Sequence, residues 1–505
     1  MKVEKKRINQ LKKYHKWPGL IIALFLMYYA ISGILMNHRE TISGIDISRN
    51  ILPKNYHYKN WNLAALRGSQ IISSDSILVY GDIGIWLSDS TFQKYTDYNQ
   101  GLPKGIDNRK IFDVYLSPNK NLFAATLFGL YAYNKDKRKW QKFDLNTKID
   151  RFVSVISKED SIIAMNRSYI FAGLDKGTAT KFKKIQLKAP KGYKNKISLF
   201  ETVWQIHSGE IFGLPGKLFV DFIGVISILI SITGIIFFFF PKLIKYRKRK
   251  NKRISSIAKI NRNSLKWHNK LGSWFLIFLI VISLTGMFLR PPLLLTIARA
   301  NIPVIKFTHL DQPNAWYDDL RDIMYNETTD SFILAAYNGM YQLQSLEAIP
   351  EPYKIQPPIS VMGINVFENI NKHLYLIGSF SGLFLWNPQN PIIYDFISGH
   401  EYQENSSGRP FGKNAISGII TNNSQSYIVD YNQGVLNSNF SEMPQKIIKK
   451  APISLWSLCL EIHTGRIFQF LLKDFYILIV PLSGIVSLIV IISGYLIYQR
   501  RRKNK

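Results

Sequence analysis

The sequence has a single cysteine, Cys459, among its 505 residues. Internal disulfides and cysteine-rich metal sites both need several cysteines, so the composition excludes both. No Gly-x-Gly-x-x-Gly motif follows a predicted strand, which leaves no sign of a flavin or nicotinamide domain. No group of residues has the spacing of a catalytic triad. Any chemistry therefore depends on other residues, and the nine histidines are the first candidates.

Acidic residues are nearly absent from three short basic segments. Residues 242–266 contain eleven Lys and Arg and no Asp or Glu, and residues 1–17 contain seven against Glu4 alone. A third basic segment begins at Arg500. Because each segment flanks an apolar run, the formal charge of +31 indicates positive-inside topology and attraction to anionic lipid. We therefore expect the lipid bilayer, and no nucleic acid, as a partner.

Four apolar segments, at about 19–37, 217–240, 271–289 and 475–498, are long enough to span a bilayer. Each offers roughly the twenty residues that a hydrocarbon core of about 30 Å requires. The first is too long for a signal peptide and lacks a small-residue cleavage site, so we expect a retained helix. The basic flanks predict a multi-pass protein of the bacterial inner membrane, with cytoplasmic termini and two large periplasmic regions.

The membrane segments occur as two copies at a constant offset. This repeat predicts a four-transmembrane-helix bundle built from two tandem two-helix repeats. A further motif precedes the second span of each copy. The matched motifs are His15-Lys-Trp-Pro-Gly19 with Ser32-Gly33, His268-Asn-Lys-Leu-Gly272 with Thr285-Gly286, Ile206-His207-Ser-Gly209, and Ile462-His463-Thr-Gly465.

The two polar regions consist of short β-like runs separated by turn residues. A recurring unit consists of a strand, a turn, and a strand rich in small residues that ends in Gly plus an aromatic residue. Its spacing near forty residues is typical of propeller blades, so we expect all-β, propeller-like external domains. One six-bladed propeller and two separate β-rich domains both remain open. The units are Ile77–Trp86, Leu122–Tyr133, Ser161–Phe171, Phe332–Tyr341, Leu374–Trp386 and Ser426–Leu436.

These features divide the chain into seven predicted parts. They are 1–39 (basic segment and helix 1), 40–203 (external), 204–241 (helix 2), 242–266 (basic loop), 267–291 (helix 3), 292–458 (external) and 459–505 (helix 4 and basic tail).

Five histidines cluster at the predicted membrane boundaries. Haem iron accepts two axial imidazoles, which must come from separate helices so that the macrocycle fits between them. The repeat symmetry pairs His15 with His268 on the cytoplasmic side and His207 with His463 on the external side. His38 is an alternative external ligand, since it lies closer to an apolar core. We therefore expect one or two haem b groups, and no metal beyond the haem iron.

Two further considerations bear on these histidines. An interfacial histidine beside a tryptophan can simply anchor a helix end, and that explanation stays open. The glycines of the repeat (Gly19, Gly33, Gly272 and Gly286) suit either a bulky macrocycle or close helix contact. The external histidines His57, His309, His373 and His400 receive no role.

The four motifs resemble those of the PepSY-associated transmembrane family of bacteria. The resemblance covers about a third of the chain, and it implies b-type haem, transmembrane electron transfer and a link to iron. Some members act as haem-bearing reductases of periplasmic ferric siderophores, so the resemblance implies an oxidoreductase of that type. No convincing PepSY module is visible. The electron donor would be a quinol or a cytoplasmic reductase. The catalytic residues and the acceptor remain undefined.

Two other functions are compatible with the sequence. A non-enzymatic sensor or scaffold would use a periplasmic propeller to bind a ligand or partner. A transporter fits less well, because Asp221 and Asp474 near the outer edges are the only charged residues that could mark a path.

Overall fold

The computed structural model describes residues 2–298, 300–360, 363–403, 414–436 and 440–503. The chain forms two compact units. The first, here called the helical unit, comprises Met1–Ile42, Asn195–Asp311 and Leu455–Lys505. The second, the sheet unit, comprises Ser43–Lys194 and Gln312–Ser454.

All helices but one belong to the helical unit, the exception being α8. In chain order they are α1 (Lys2–Asn37), α2 (Arg39–Ile42), α3 (Leu199–Ser208), α4 (Gly213–Arg249), α5 (Ser255–Trp274), α6 (Leu276–Phe288), α7 (Leu294–Ile297), α8 (Gln445–Lys449), α9 (Leu455–His463), α10 (Gln469–Leu472) and α11 (Ile479–Lys503).

Three helical stretches of the described chain are long and apolar enough to cross a membrane as they stand. They are Asn9–Asn37, Glu210–Arg249 and Arg466–Arg500. The predicted third span, 271–289, is not a straight helix, because α5 and α6 meet there at an angle of 70°. The prediction of four transmembrane helices is therefore wrong: three spans are continuous, and a bent pair stands in place of the other.

The bend has a local cause in the sequence. It follows Gly272-Ser273, and Gly/Ser pairs are among the usual sites of sharp helix kinks. The apolar part beyond the bend, α6, has 13 residues and is about 20 Å long, which is shorter than the hydrocarbon core. The helices still pack around one another, since α1 contacts α4 and α11, α4 contacts α5, and α11 contacts α6.

The strands pair antiparallel in small separate sheets. One short sheet, β14 (Lys196–Ser198) with β15 (Asn301–Pro303), belongs to the helical unit. The sheet unit contains β1 (Asp46–Ile47) with β27 (Ile453–Ser454); β2 (Gly68–Ser73), β3 (Ser76–Gly81), β4 (Gly84–Asp89), β5 (Tyr95–Asp97); β6 (Ile111–Leu116), β7 (Leu122–Thr126), β8 (Gly129–Asn134), β9 (Lys139–Lys142); β10 (Phe152–Lys158), β11 (Ser161–Asn166), β12 (Ile170–Leu174), β13 (Lys183–Ile185); β16 (Leu320–Asn326), β17 (Ser331–Ala336), β18 (Gly339–Leu343), β19 (Glu351–Pro352); β20 (Val366–Asn371), β21 (Leu374–Ser379), β22 (Gly382–Trp386), β23 (Tyr394–Asp395); and β24 (Ile416–Thr421), β25 (Ser426–Asp430), β26 (Gly434–Val435).

Each recurring unit of the sequence is the central hairpin of one sheet. The unit Leu122–Tyr133, for example, spans β7 and β8. The second strand of a sheet is buried on both faces, as in β7 and β17, whose residues are all buried. Hydrophobic clusters fill the space between neighbouring sheets: Phe123 of β7 packs in one cluster with Phe152 and Phe171 of the next sheet.

The prediction of propeller-like external domains is also wrong. The described strands form separate small antiparallel sheets, whose strand pairing does not continue from one sheet into the next, and they are not joined into a closed barrel or propeller. The forty-residue period specifies a meander of short strands, and that local pattern is what the sequence encodes. It does not specify how successive meanders combine.

Two carboxyl groups lie in the first strands of their sheets. Burial raises the pKa of Asp113 in β6 to about 6. Burial, with the nearby charge of Asp113, raises the pKa of Asp322 in β16 to about 7. Asp113 accepts hydrogen bonds from the Tyr80 hydroxyl at 3.2 Å and from the Val155 amide at 2.8 Å.

We expect the stability of the sheet unit to fall between pH 4 and pH 7. Unfolded Asp322 loses its proton near pH 4, whereas the folded group keeps its proton up to about pH 7. Stability is therefore highest below the unfolded pKa and is lost as the pH rises through the folded value. The Asp322→Asn variant should flatten this fall by on the order of 1–2 kcal/mol, measured by thermal unfolding of the full chain in detergent.

The exposed turn residue Asp75 supplies the matched control. Asp75→Asn should keep the pH dependence of the wild type. Equal pH dependence in wild type and Asp322→Asn would contradict the assignment.

Candidate functional site

Four of the five boundary histidines form two pairs within the helical unit. The rings of His15 on α1 and His268 on α5 have centroids 5.9 Å apart and an interplanar angle of 72°. The rings of His207 on α3 and His463 on α9 have centroids 6.0 Å apart at 66°. The structure thus brings together the same pairs that the repeat symmetry predicts, each from two different helices.

In every ring the Nδ1 atom is held by a third helix. A carbonyl oxygen only accepts, so Nδ1 carries the proton and donates. The acceptors are Val490 O for His15 (2.9 Å), Ile230 O for His268 (3.0 Å), Tyr29 O for His463 (3.1 Å) and Thr285 Oγ1 for His207 (3.1 Å). Among the described residues, no hydrogen bond engages the Nε2 atoms of these rings, so that nitrogen is free to bind a metal.

A glycine makes each of these contacts sterically feasible. A Cβ atom on Gly494 would lie 2.6 Å from Cε1 of His15, and one on Gly286 would lie 2.8 Å from Cε1 of His207. Gly234 and Gly33 stand in the same relation to His268 and His463, at 3.1 and 3.2 Å. Every ring therefore lies flat against a helix surface that lacks a side chain.

The residue before each glycine is Ser or Thr, and its hydroxyl donates to a carbonyl of the preceding helical turn. Thr285 donates to Val281 O at 2.7 Å, and its hydroxyl also lies 3.2 Å from Ile282 O, four residues before Gly286. Because this hydroxyl has given its proton to a carbonyl, its oxygen can accept from Nδ1 of His207. The other three hydroxyl donors and acceptors are Ser32 to Tyr29 (3.3 Å), Thr233 to Ile230 (3.0 Å) and Ser493 to Val490 (3.1 Å).

Short helices carry the second histidine pair. Ser198 caps α3 by accepting from the Glu201 amide at 3.0 Å. The helix then ends one residue after His207, where Gly209 has a φ of 80°. Gly465 follows α9 in the same left-handed conformation, with a φ of 74°. Since glycine adopts this conformation without strain, the repeated Ile-His-[Ser/Thr]-Gly motif encodes a helix end that places its histidine in the last turn.

His38 lies elsewhere. Its Nε2 atom is 2.7 Å from Oδ2 of Asp221 on α4, and Asn37 donates to the other carboxylate oxygen at 2.8 Å. The atom that would bind a metal is therefore occupied by a carboxylate.

Sequence reasoning identified two of the four contact glycines and missed two. Gly33 and Gly286 contact histidines, whereas a Cβ on Gly19 would only touch Val490 Cγ1 at 3.6 Å and one on Gly272 would meet open space. The missed positions are Gly234 and Gly494. The signal was present, because a Ser-Gly or Thr-Gly pair occurs in each of the four apolar segments.

No group of three or more His, Cys, Asp or Glu side chains with metal-binding geometry occurs in the described part of the chain. Each histidine site accordingly offers two protein ligands. Zinc sites of proteins usually use three or four, so the donor set does not suit a structural zinc ion.

A protein-family model matches almost the entire chain. The family model of the PepSY-associated TM region matches residues 12–501. No curated protein matches.

The matching solved structures include the extracellular domains of the two-component systems BT4673 and BT3049 of B. thetaiotaomicron. The first has 11% identity and a TM-score of 0.36, covering 73% of this chain and 32% of its own. The second has 10% identity and a TM-score of 0.32, covering 75% and 40%. An ancestral GH74 enzyme matches with 6% identity and a TM-score of 0.33, covering 73% and 35%. The chain spans less than half the length of each structure, and at these TM-scores the likenesses do not define its fold.

Replacing Gly286 by alanine should destabilise the helical unit. The new methyl group would lie 2.8 Å from a ring that its hydrogen bond to Thr285 holds in place, so the ring or the helix must shift. Overpacking of this kind costs about 1–3 kcal/mol, more than the gain of up to about 1 kcal/mol in helix propensity. Thermal unfolding in detergent measures the change.

Gly19→Ala is the matched control, because its methyl group would make only an ordinary contact at 3.6 Å. It should leave stability unchanged or raise it slightly. A Gly286→Ala variant as stable as Gly19→Ala would show that the ring is not confined as described.

Proposed function

The chain belongs to the family of the PepSY-associated TM region, and we propose that it is a haem-binding protein of the bacterial inner membrane that passes electrons across it. The observation that carries the proposal is the spacing of the paired imidazoles. Two metal–nitrogen bonds of about 2.0 Å in line place the ring centroids of two ligands roughly 6 Å apart. The two pairs lie at 5.9 and 6.0 Å.

The chemistry of the donors also fits haem. A porphyrin supplies four equatorial nitrogens and leaves two axial positions, which matches sites that offer two imidazoles and no third ligand. Metal-binding histidines usually donate their other ring N–H to a carbonyl or carboxylate, which fixes the tautomer. All four rings donate from Nδ1, so Nε2 is the nitrogen that would bind iron.

Haem, when bound, supplies one-electron redox chemistry. The contribution of the chain is to hold the ligands at two levels of one helix. His15 and Tyr29, whose carbonyl fixes His463, are about 21 Å apart along α1 at 1.5 Å per residue. Two sites at these levels would both lie within the thickness of a hydrocarbon core of about 30 Å, and they would divide the electron path across it into shorter steps.

The external ligands we propose are His207 and His463 rather than His38. The ion pair of His38 with Asp221 occupies its Nε2 atom, and binding iron would leave that carboxylate without this partner. His207 and His463 could bind iron without losing a hydrogen bond, since only the Nδ1 atom of each ring is engaged.

The charge bias supports the orientation that we propose. The basic segments at 1–17, 242–266 and after Arg500 favour the cytoplasm for these parts and the periplasm for the sheet unit. Because the sequence carries no dinucleotide-binding motif, a quinol or a separate reductase would deliver the electrons. The acceptor we propose is a ferric siderophore or another periplasmic iron complex. A sensor or scaffold that uses its helices only as an anchor would bind no haem.

Haem in the cytoplasmic-side site should depend on His268. The purified chain should show a Soret band that shifts on reduction with dithionite, and His268→Ala should remove or shift one of two spectral components because one axial ligand is lost. A pyridine haemochrome assay should then show about half of the haem. His373→Ala, in an exposed loop of the sheet unit, should leave both readings unchanged.

A colourless, haem-free wild-type protein, expressed with haem supplied, would refute the haem proposal and favour the sensor or scaffold. Identical spectra for wild type and His268→Ala would remove that residue from the site.

The external-side site should depend on both His207 and His463 and not on His38. Alanine at either member of the pair should reduce the haem content to about one per chain, since the remaining imidazole leaves iron five-coordinate or unbound. His38→Ala should retain the haem, although it loses the ion pair with Asp221. Haem content and reduced-minus-oxidised spectra of the three variants measure this. Full haem in both the His207 and His463 variants would defeat the external site.

A further inference from the structure

Four arginines from different strands meet in the sheet unit. Arg67 precedes β2, Arg151 precedes β10, Arg167 follows β11, and Arg321 is the second residue of β16. These positions come from three separate sheets, so the grouping is a product of tertiary structure. We call it the arginine cluster.

Short contacts connect its members in a chain. Arg67 and Arg151 both lie over the ring of Phe112, at 5.2 and 4.4 Å from its centroid. Arg167 and Arg321 both donate to the carbonyl oxygen of Asp318, at 2.9 and 2.7 Å. The backbone joins the two halves, since the Arg167 amide donates to Arg151 O at 3.3 Å.

Strand irregularities position two of these residues. The register of the first strand shifts between Ile111 and Asp113 and between Leu320 and Asp322, so Phe112 and Arg321 are the extra residues of two β-bulges. Bulges redirect side chains and occur preferentially at strand edges and functional sites. The same irregularity occurs in the first strands of other sheets, between Phe152 and Ser154 and between Ile416 and Gly418, so it belongs to the repeated meander. In β6 and β16 the extra residue contributes to the cluster.

The charges of the cluster are only partly compensated. Arg67 pairs with Asp82 at 3.0 Å, and Arg167 pairs with Asp318 at 2.9 Å. Arg321 donates to backbone carbonyls and forms no ion pair within the described residues, although the charges of Asp318 and of the buried Asp319 act on it. Arg151 has neither a hydrogen bond nor an ion pair from its side chain in the described part of the chain, and its Nε atom is buried.

The excess of positive charge is visible in the titration of these groups. Burial, together with the charges of Arg167, Arg67 and Arg321, lowers the pKa of Arg151 to about 9. Burial and the charge of Arg167 lower the pKa of Arg321 to about 10. Both guanidinium groups still carry their charge at pH 7. Holding like charges together away from water is unfavourable unless an opposite charge joins them.

The cluster is open to small ions. The side chains of Arg67 and Arg167 are 19% and 20% exposed, and Asp318 is 53% exposed. Clustered guanidinium groups present paired N–H donors that match the oxygens of carboxylates and phosphates. The cluster is compact and lies at the starts of strands, unlike the extended basic surface that nucleic acid requires.

We propose that the arginine cluster binds a small, multiply charged oxyanion, with Arg151 and Arg321 as its main ligands. Arg151 has no ion pair in the described part of the chain, and Arg321 has only the nearby charges of Asp318 and Asp319, so a multiply charged anion with several oxygens can contact both guanidinium groups. Polycarboxylates and condensed phosphates share this chemistry. The proposal does not depend on haem binding, because it rests on residues of the sheet unit alone.

The test uses the full chain in detergent and isothermal titration with citrate and with pyrophosphate, with sodium chloride at matched ionic strength as the blank. We expect saturable binding of at least one of the two anions, and the tighter one identifies the source as a carboxylate or a phosphate. Arg151→Met should weaken this binding at least tenfold, because it removes a ligand without an intramolecular substitute.

Arg138→Met is the matched control, since Arg138 is exposed in the turn between β8 and β9 of the same unit. It should bind as the wild type does. A second readout guards against misfolding: without ligand, Arg151→Met should unfold at a temperature equal to or above that of the wild type, because it relieves repulsion among the arginines. The anion should then raise the melting temperature of the wild type only.

Either of two results would overturn the proposal. One is that neither anion binds saturably to the wild type at millimolar concentration. The other is that the arginines do not contribute to binding. This would show in one of two ways: Arg151→Met binds the anion as tightly as the wild type, or Arg151→Met loses binding together with a lower melting temperature while a normally folded Arg321→Met variant binds with unchanged affinity.

Discussion

A histidine ring can lie against a helix backbone only where the helix has no side chain, and the helical unit is arranged around that constraint. A helical carbonyl is normally shielded by the Cβ of the residue one turn later. Where that residue is glycine, as at Gly286 and Gly494, the imidazole comes close enough to be held by the backbone or by the preceding hydroxyl. The four contacts fix the orientation of all four rings. They also hold α1, α4, α6 and α11 at distances that a side chain would prevent.

The hydroxyl before each glycine completes the arrangement. In an apolar environment every polar group needs a partner, and an imidazole N–H is costly to leave unsatisfied. Thr285 and its counterparts occupy the carbonyls of the preceding turn with a second donor, which keeps them pointed at the ring. The two residues of each Ser/Thr-Gly pair therefore act together: the glycine makes room for the ring, and the hydroxyl lies beside it. Such a pair is present in all four apolar segments.

The sequence predicted the histidine pairs because their determinants are local and repeated. The His-x-x-x-Gly and Ile-His-[Ser/Thr]-Gly motifs recur in both copies, and symmetry alone pairs His15 with His268. The sequence did not reveal that Gly234 and Gly494 contact histidines, since these glycines belong to spans that have no histidine of their own. The bend at Gly272-Ser273 was not predicted for another reason: the length of an apolar segment gives no information about the direction of its helix axis. In the external regions the period revealed the hairpins, but the combination of the sheets depends on contacts between distant segments such as Phe123 and Phe171.

The sheet unit shows why charged residues of opposite sign can stay unpaired although they are neighbours in sequence. Arg321 and Asp322 are adjacent in β16, at the β-bulge where the register with β17 shifts, and their charged groups have different neighbours. The carboxyl group lies near Asp113 and Ser154, where burial raises its pKa, while the guanidinium group lies with other arginines, where burial lowers its pKa. The two charged groups therefore do not neutralise each other. A chain that stabilised only its own fold would gain by replacing one of the pair with an apolar residue. An anion bound at the arginine cluster, as we propose, would supply the compensating charge that the fold itself leaves out.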